Sequence, residues 1–255
     1  MINILLIILL LLTIYVGGKR GIKLFISLII NFLILMISFY FIALGINSIV
    51  VALLGSFIIS LIILYFVNGK NIKTTSALYS IVIVLIILAI SIFIITEKTR
   101  IAGFGYESYE EINMFSYDVG INYTKITTAL MLIGLIGSTT DSAIAISSAL
   151  YEVYLNNKNL SVKELIKSGT NIGKDILGTT ANTLLFAFLG GFMTLIIWFY
   201  TCNYSLLDIV NNKTFNAEYI QSIFSLIGCT LIIPITIVIT SLKIKYNEKH
   251  PYNEE

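Results

Sequence analysis

Asp141 is the residue from which any chemistry in this chain would start. It interrupts the apolar run TALMLIGLIGSTTDSAIAISSAL (128–150), deep in a stretch that otherwise suits hydrocarbon. An isolated ionised Asp at the centre of a bilayer costs about 2.5–3.5 kcal/mol on insertion scales. Such a group is therefore either protonated or paired. A carboxyl that loads and unloads a proton is what a proton carrier needs. The alternative is a protonated acid hydrogen-bonded between helices, with a purely structural role.

Its neighbours recur at helical spacing. Gly134, Gly137, Ser138, Asp141, Ala145, Ser148 and Glu152 follow one another every three or four residues, which puts them on one helix face. A second stripe, Asp175, Thr179, Asn182, Thr183, Phe186 and Gly190, repeats the pattern in the next apolar segment, with Thr180 and Gly191 beside it. The hydroxyl and amide groups of Thr179, Asn182 and Thr183 are expected to hydrogen-bond Asp141 or to hold a water chain near it, and with Ser138 and Asp175 they are the candidate ion-coupling residues. Gly134, Gly137, Ala145, Gly190 and Gly191 are expected to let helices approach closely. Helix packing alone accounts for Gly, Ala and Thr about as well as transport does. It accounts less well for a carboxylate and an amide.

The elements that must position these groups follow from composition. Of 255 residues, 57% are hydrophobic and only 12% charged, with a mean hydropathy of +0.94. A soluble chain carries about twice that charge. The expected fold is all-α, a polytopic transmembrane helix bundle. Seven spans are expected, at about 1–16, 22–44, 48–67, 76–95, 126–150, 176–200 and 221–241. An amphipathic helix over 156–174, opened by the capping-box pattern Ser161-x-x-Glu164, is expected on the inner membrane surface. Residues 1–245 form a single bundle in this reading, and 246–255 a short cytoplasmic tail. The first segment lacks the leading positive charges of a signal peptide and reads as a retained helix.

Basic residues orient the bundle. With the loop after the first span inside, the inner segments hold Lys19, Arg20, Lys23, Lys70, Lys73, Lys158, Lys163, Lys167, Lys174, Lys243, Lys245 and Lys249. The outer segments hold only Lys98, Arg100, Lys125 and Lys213. Twelve against four puts the amino terminus outside and the carboxyl terminus inside. Were the first segment not to span, six crossings would keep the same orientation. A net charge of +2 gives no reason to expect nucleic acid. Two cysteines and one histidine exclude a disulfide framework and make a metal site of protein ligands improbable. Cys202 and Cys229 are read as small buried apolar residues. No cofactor is expected. The longest loop, 97–123, carries Glu107, Glu110, Glu111 and Asp118 and reads as an interfacial loop or an acidic vestibule. Trp198, Tyr200 and Tyr204 read as an outer aromatic belt, and Pro234 as the site of a kink in the last span.

Two blocks carry a resemblance. GSTTDSAIAISSALYE (137–152) and LSVKELIKSGTNIGKDILGTTANTLLFAFLGG (160–191) resemble the YibE/F-like integral membrane proteins of Gram-positive bacteria. The resemblance implies a multi-pass protein of the plasma membrane. It also implies a paralogous partner bearing an extra extracytoplasmic region, with this chain as the shorter of the pair. It brings no activity. The Gly137-x-x-x-Asp141 spacing and the Thr-rich start of the next span are also similar to the SecD/SecF halves of the resistance-nodulation-division superfamily. There an aspartate at this place takes part in proton coupling. The large extracytoplasmic domain of that group is missing here, and no basic intramembrane partner is evident.

These readings converge on a non-enzymatic subunit of a proton-coupled secondary transporter or export complex, with Asp141 as coupling carboxylate. Its partners would be the lipid bilayer and a paralogous YibE/F-like chain or a second copy. The alternative is a non-transporting scaffold or receptor subunit whose polar helix faces only mediate assembly. An intramembrane enzyme lacks support, since there is no Ser–His pair or HExxH and His250 lies in the charged tail.

Overall fold

A computed structural model describes residues 2–103 and 122–249. The acidic-loop residues Glu107, Glu110, Glu111 and Asp118 fall outside them. The described residues form α1 (Ile2–Ala43), α2 (Ser48–Leu61) running on as a π-helical turn (Ile62–Val67), α3 (Ile72–Thr99), α4 (Tyr123–Asn156), α5 (Val162–Thr201), the short α6 (Leu206–Asn211) and α7 (Lys213–Lys249). No strand occurs among them. Six of these helices are long and apolar enough to cross a bilayer.

Seven crossings were expected, and the difference lies in α1. The expected segments 1–16 and 22–44 are the two arms of this one helix, broken at Gly18 (φ 53°, ψ −131°). That conformation is essentially reserved for glycine. Next to the break, Gly21 packs on the backbone carbonyl of Thr13 with no room for a Cβ. Residues eight apart in an unbroken helix are separated by about 12 Å. The chain therefore bends sharply at the Gly17-Gly18 pair.

Local capping sets the other boundaries. Asn71 and Thr74 form a reciprocal capping box at the start of α3, and Asn122 accepts from the amide of Lys125 at the start of α4. The Ser161–Glu164 box is formed as expected, with the Ser161 amide donating to Glu164 at 2.8 Å. It does not start a separate surface helix. Residues 157–161 make the turn, and α5 then runs unbroken from Val162 to Thr201. The reason is that nothing between Ser161 and the apolar segment stops a helix, and its small residues face inward. Leu165, Gly169 and Gly173 are buried. At α6, Ser205 caps in the same way. Hydrogen bonds from its side chain and backbone hold the Asp208 carboxyl below its ordinary range.

α4 is the hub, packing on α2, α3, α5 and α7. Its inward face carries Ala129, Leu132, Leu135, Ala143 and Leu150, all fully buried. Hydroxyls line several contacts: Ser60 of α2 lies 3.5 Å from Thr140, and Ser142 lies 3.6 Å from the Cys229 sulfur of α7. Cys229 is thus buried as expected. Cys202 is exposed, because it ends α5 in the turn leading to α6. Pro234 sits inside α7, which continues through it.

Cations gather at one end of the bundle. Lys73 of α3 pairs with Glu152 of α4 at 2.8 Å, Lys245 of α7 donates to the Lys158 carbonyl at 3.1 Å, and Arg20 donates to Asn68. Aromatic rings gather at the other end, where Trp198, Phe199, Tyr204, Phe192 and Phe215 touch edge-on or stacked.

Adding a methyl group is expected to cost about 1–3 kcal/mol at Gly18 through backbone strain, and at Gly21 a similar amount through collision with the Thr13 carbonyl. Gly17 has nothing within 4 Å of its would-be Cβ, so Gly17→Ala serves as the control. Thermal unfolding of the detergent-solubilised chain should show a lower Tm for Gly18→Ala and Gly21→Ala only.

Candidate functional site

Three sides of α4 are covered. Thr140 meets α2, Ser142 meets α7, and Ile146 and Leu150 meet α5. The fourth side bears the stripe expected from the sequence, and it points out of the bundle. Gly134, Gly137, Asp141, Ala145 and Glu152 are exposed, while Ser138 and Ser148 are half-buried. Asp141 stands about midway along α4 and has no hydrogen bond or ion pair among the described residues. At the cationic end of the stripe, Glu152 takes Lys73.

The second stripe lies on the neighbouring helix. The Leu150 side chain stands 3.3 Å from where a Cβ of Gly169 would be, and the Ile146 side chain 3.6 Å from that of Gly173. Four residues on α4 thus match four on α5, running antiparallel. Continued along both helices, that register brings Asp141 level with Gly178 and Thr179. The helix edges stand open at this level, since neither Gly137 nor Gly178 has any atom within 4 Å of its would-be Cβ.

The expected hydrogen bonds to Asp141 are not formed among the described residues. Ser138 donates to the Leu135 carbonyl, Thr179 to those of Asp175 and Ile176, and Thr183 to that of Thr179. A hydroxyl in a helix can turn back onto its own backbone in this way. The side chains of Asp175 and Asn182 are exposed and have no partner among the described residues. The candidate ion-coupling residues therefore lie at neighbouring depths on adjacent helices, and none of the others hydrogen-bonds Asp141 among the described residues.

The packing glycines divide differently from expectation. Gly134 is tight against α7, where its Cβ would lie 2.6 Å from the Gln221 side chain. Gly137, Gly190 and Gly191 meet nothing within 4 Å, and Ala145 is exposed. Close approach falls instead to Gly169, Gly173 and Gly228, whose would-be Cβ atoms lie 2.9 Å from Ile237, 2.6 Å from Ile233 and 3.0 Å from Thr139. The Gly169-x-x-x-Gly173 spacing was a usable signal. The lysines and the Ser161–Glu164 cap around it give the stretch the pattern of a surface helix instead.

Both stripes lie within a match to the family described as YibE/F-like protein, which covers residues 5–246. This chain belongs to the YibE/F-like family. No curated protein and no solved structure matches it. The match runs from α1 to α7, so the hub helix, the outward carboxylate and the glycine contacts of α5 all belong to the YibE/F-like region. With its long apolar helices, the chain is a YibE/F-like membrane protein.

The two kinds of glycine separate experimentally. Gly173→Leu drives a side chain into Ile233 and is expected to destabilise the isolated chain by about 1–3 kcal/mol, as overpacking does. Gly137→Leu projects into open space and should leave the Tm of the purified chain unchanged. An equal loss at Gly137 would mean that the Asp141 face is covered within the chain.

Proposed function

We propose that this chain is one subunit of a proton-coupled secondary transporter or export complex, non-enzymatic, in which Asp141 is the coupling carboxylate. The observation that carries the reading is the outward-facing Asp141 on the most enclosed helix of the bundle, unpartnered among the described residues. Coupling sites in transporters sit near the bilayer midplane where repeats or subunits meet. A partner helix laid over α4 and α5 would enclose Asp141 together with Thr179, Thr183, Asn182 and Asp175. A paralogous YibE/F-like chain suits that place, and a second copy is the simpler version. In this reading the arms of α1 cross separately. That makes seven crossings of the plasma membrane, with the amino terminus outside and the cationic end of the bundle in the cytoplasm.

A second reading rests on the open small residues of the same face. Gly137 and Ala145 suit close helix contact whether or not a proton moves. A scaffold subunit would use the face for assembly alone.

Asp141→Asn separates the two. In vesicles carrying both partners, it is expected to abolish flux driven by a pH gradient while the partners still co-purify. Flux equal to wild type would remove Asp141 from the mechanism and leave the scaffold reading. Orientation has its own test in the native cysteines. A membrane-impermeant maleimide applied to intact cells should label the exposed Cys202 and leave the buried Cys229 unreacted. Labelling of Cys202 only after cell lysis would reverse the topology.

A further inference from the structure

A partly open cavity of about 410 Å³ lies between α5 and α7 at the aromatic end of the bundle, away from Asp141, with Gly191, Thr194 and Glu218 exposed along it. Gly191, Phe192, Thr194 and Trp198 line it from α5, and Thr214 and Glu218 from α7. Its size falls within the range of small-molecule sites, about 300–1,000 Å³. Gly191 keeps the wall open, with no atom within 4 Å of its would-be Cβ. Two rings are held by other rings. Phe192 is buried edge-on against Phe215 at 4.9 Å, and Trp198 sits edge-on to Tyr204 at 5.2 Å.

The polar lining is one-sided. Glu218 brings a carboxylate with no ion pair among the described residues, and Thr194 and Thr214 bring hydroxyls. Among the described residues no basic side chain lines the space. Lys213, five residues before Glu218, turns its Nζ toward Gly103, 3.7 Å from where a Cβ would stand. A carboxylate beside indole and phenyl rings attracts an alkylammonium group through charge and ring quadrupole together. It repels phosphates and carboxylates that carry no ammonium of their own.

We propose that this cavity binds an organic ammonium group, with Glu218 as its counter-ion and Trp198 and Phe192 as its aromatic walls. The group can come from a soluble amine or from the headgroup of an ethanolamine lipid. The site is independent of Asp141 and of the transport reading.

Trp198 is the only tryptophan in the chain, so its emission reports on the cavity directly. The full chain in phosphatidylglycerol vesicles would be titrated with benzyltrimethylammonium, and with benzyl alcohol as the uncharged control. The expected result is a saturable change with the ammonium alone, about tenfold weaker in Glu218→Gln and lost in Gly191→Leu. Far-UV circular dichroism and Tm of both variants in detergent would establish that they fold. Replacing part of the lipid with phosphatidylethanolamine then identifies the source. A Glu218-dependent emission shift with weaker probe binding points to the headgroup, and unchanged probe binding points to a soluble amine. Equal response to benzyl alcohol, an undiminished response in folded Glu218→Gln, or no saturable response in any lipid would overturn the proposal.

Discussion

A carboxylate in the middle of a membrane helix cannot satisfy itself, and the organisation of this chain turns on that limit. Serine and threonine hydroxyls in the same helices can donate to carbonyls three or four residues back. Ser60, Ser80, Thr139, Thr179 and Thr183 do so. An ionised carboxylate only accepts, and in mid-helix every backbone amide is already engaged. Asp141 therefore needs a donor, a proton or water from outside its own helix. The fold supplies none from the other elements described.

The outward position of Asp141 is not a matter of a peripheral helix. α4 is held on three sides, and its inward face is filled with leucine, alanine and hydroxyl groups. By contrast, α1 and α5 leave most of their surfaces open. A polar face on so well-anchored a helix is held in a fixed place. That rigidity is what a site built across a subunit boundary requires. Water cannot satisfy such a face in hydrocarbon, which is why lipid-facing carboxylates at mid-depth are rare.

Glycines place the second stripe. Gly169 and Gly173 let α5 seat between α4 and α7, where any larger side chain would collide with Ile233 or Ile237. Their four-residue spacing also sets the antiparallel register that brings Thr179 level with Asp141. Beyond Gly178 the helix turns its inner face to α7, and its rings join Phe215 and Tyr219. One helix thus serves two regions, the open edge beside Asp141 and the aromatic cavity beside Glu218.

Much of this was legible in the chain itself. Apolar runs of bilayer length, the Ser161–Glu164 cap and the periodic stripe around Asp141 determine helices, one boundary and one polar face, because these depend on local spacing and on the cost of polar groups in hydrocarbon. The break at Gly18 was also marked, by paired glycines beside Lys19 and Arg20. Which way the polar face points was not legible. A stripe of Gly, Ser and Asp reads the same whether it packs inside a bundle or lies on its surface. Only the seating of α2, α3, α5 and α7 around the rest of α4 turned Asp141 outward. The same holds for the continuity of α5 and the exposure of Cys202. Periodicity sorts residues onto faces, but contacts between distant parts of the chain decide which face is covered.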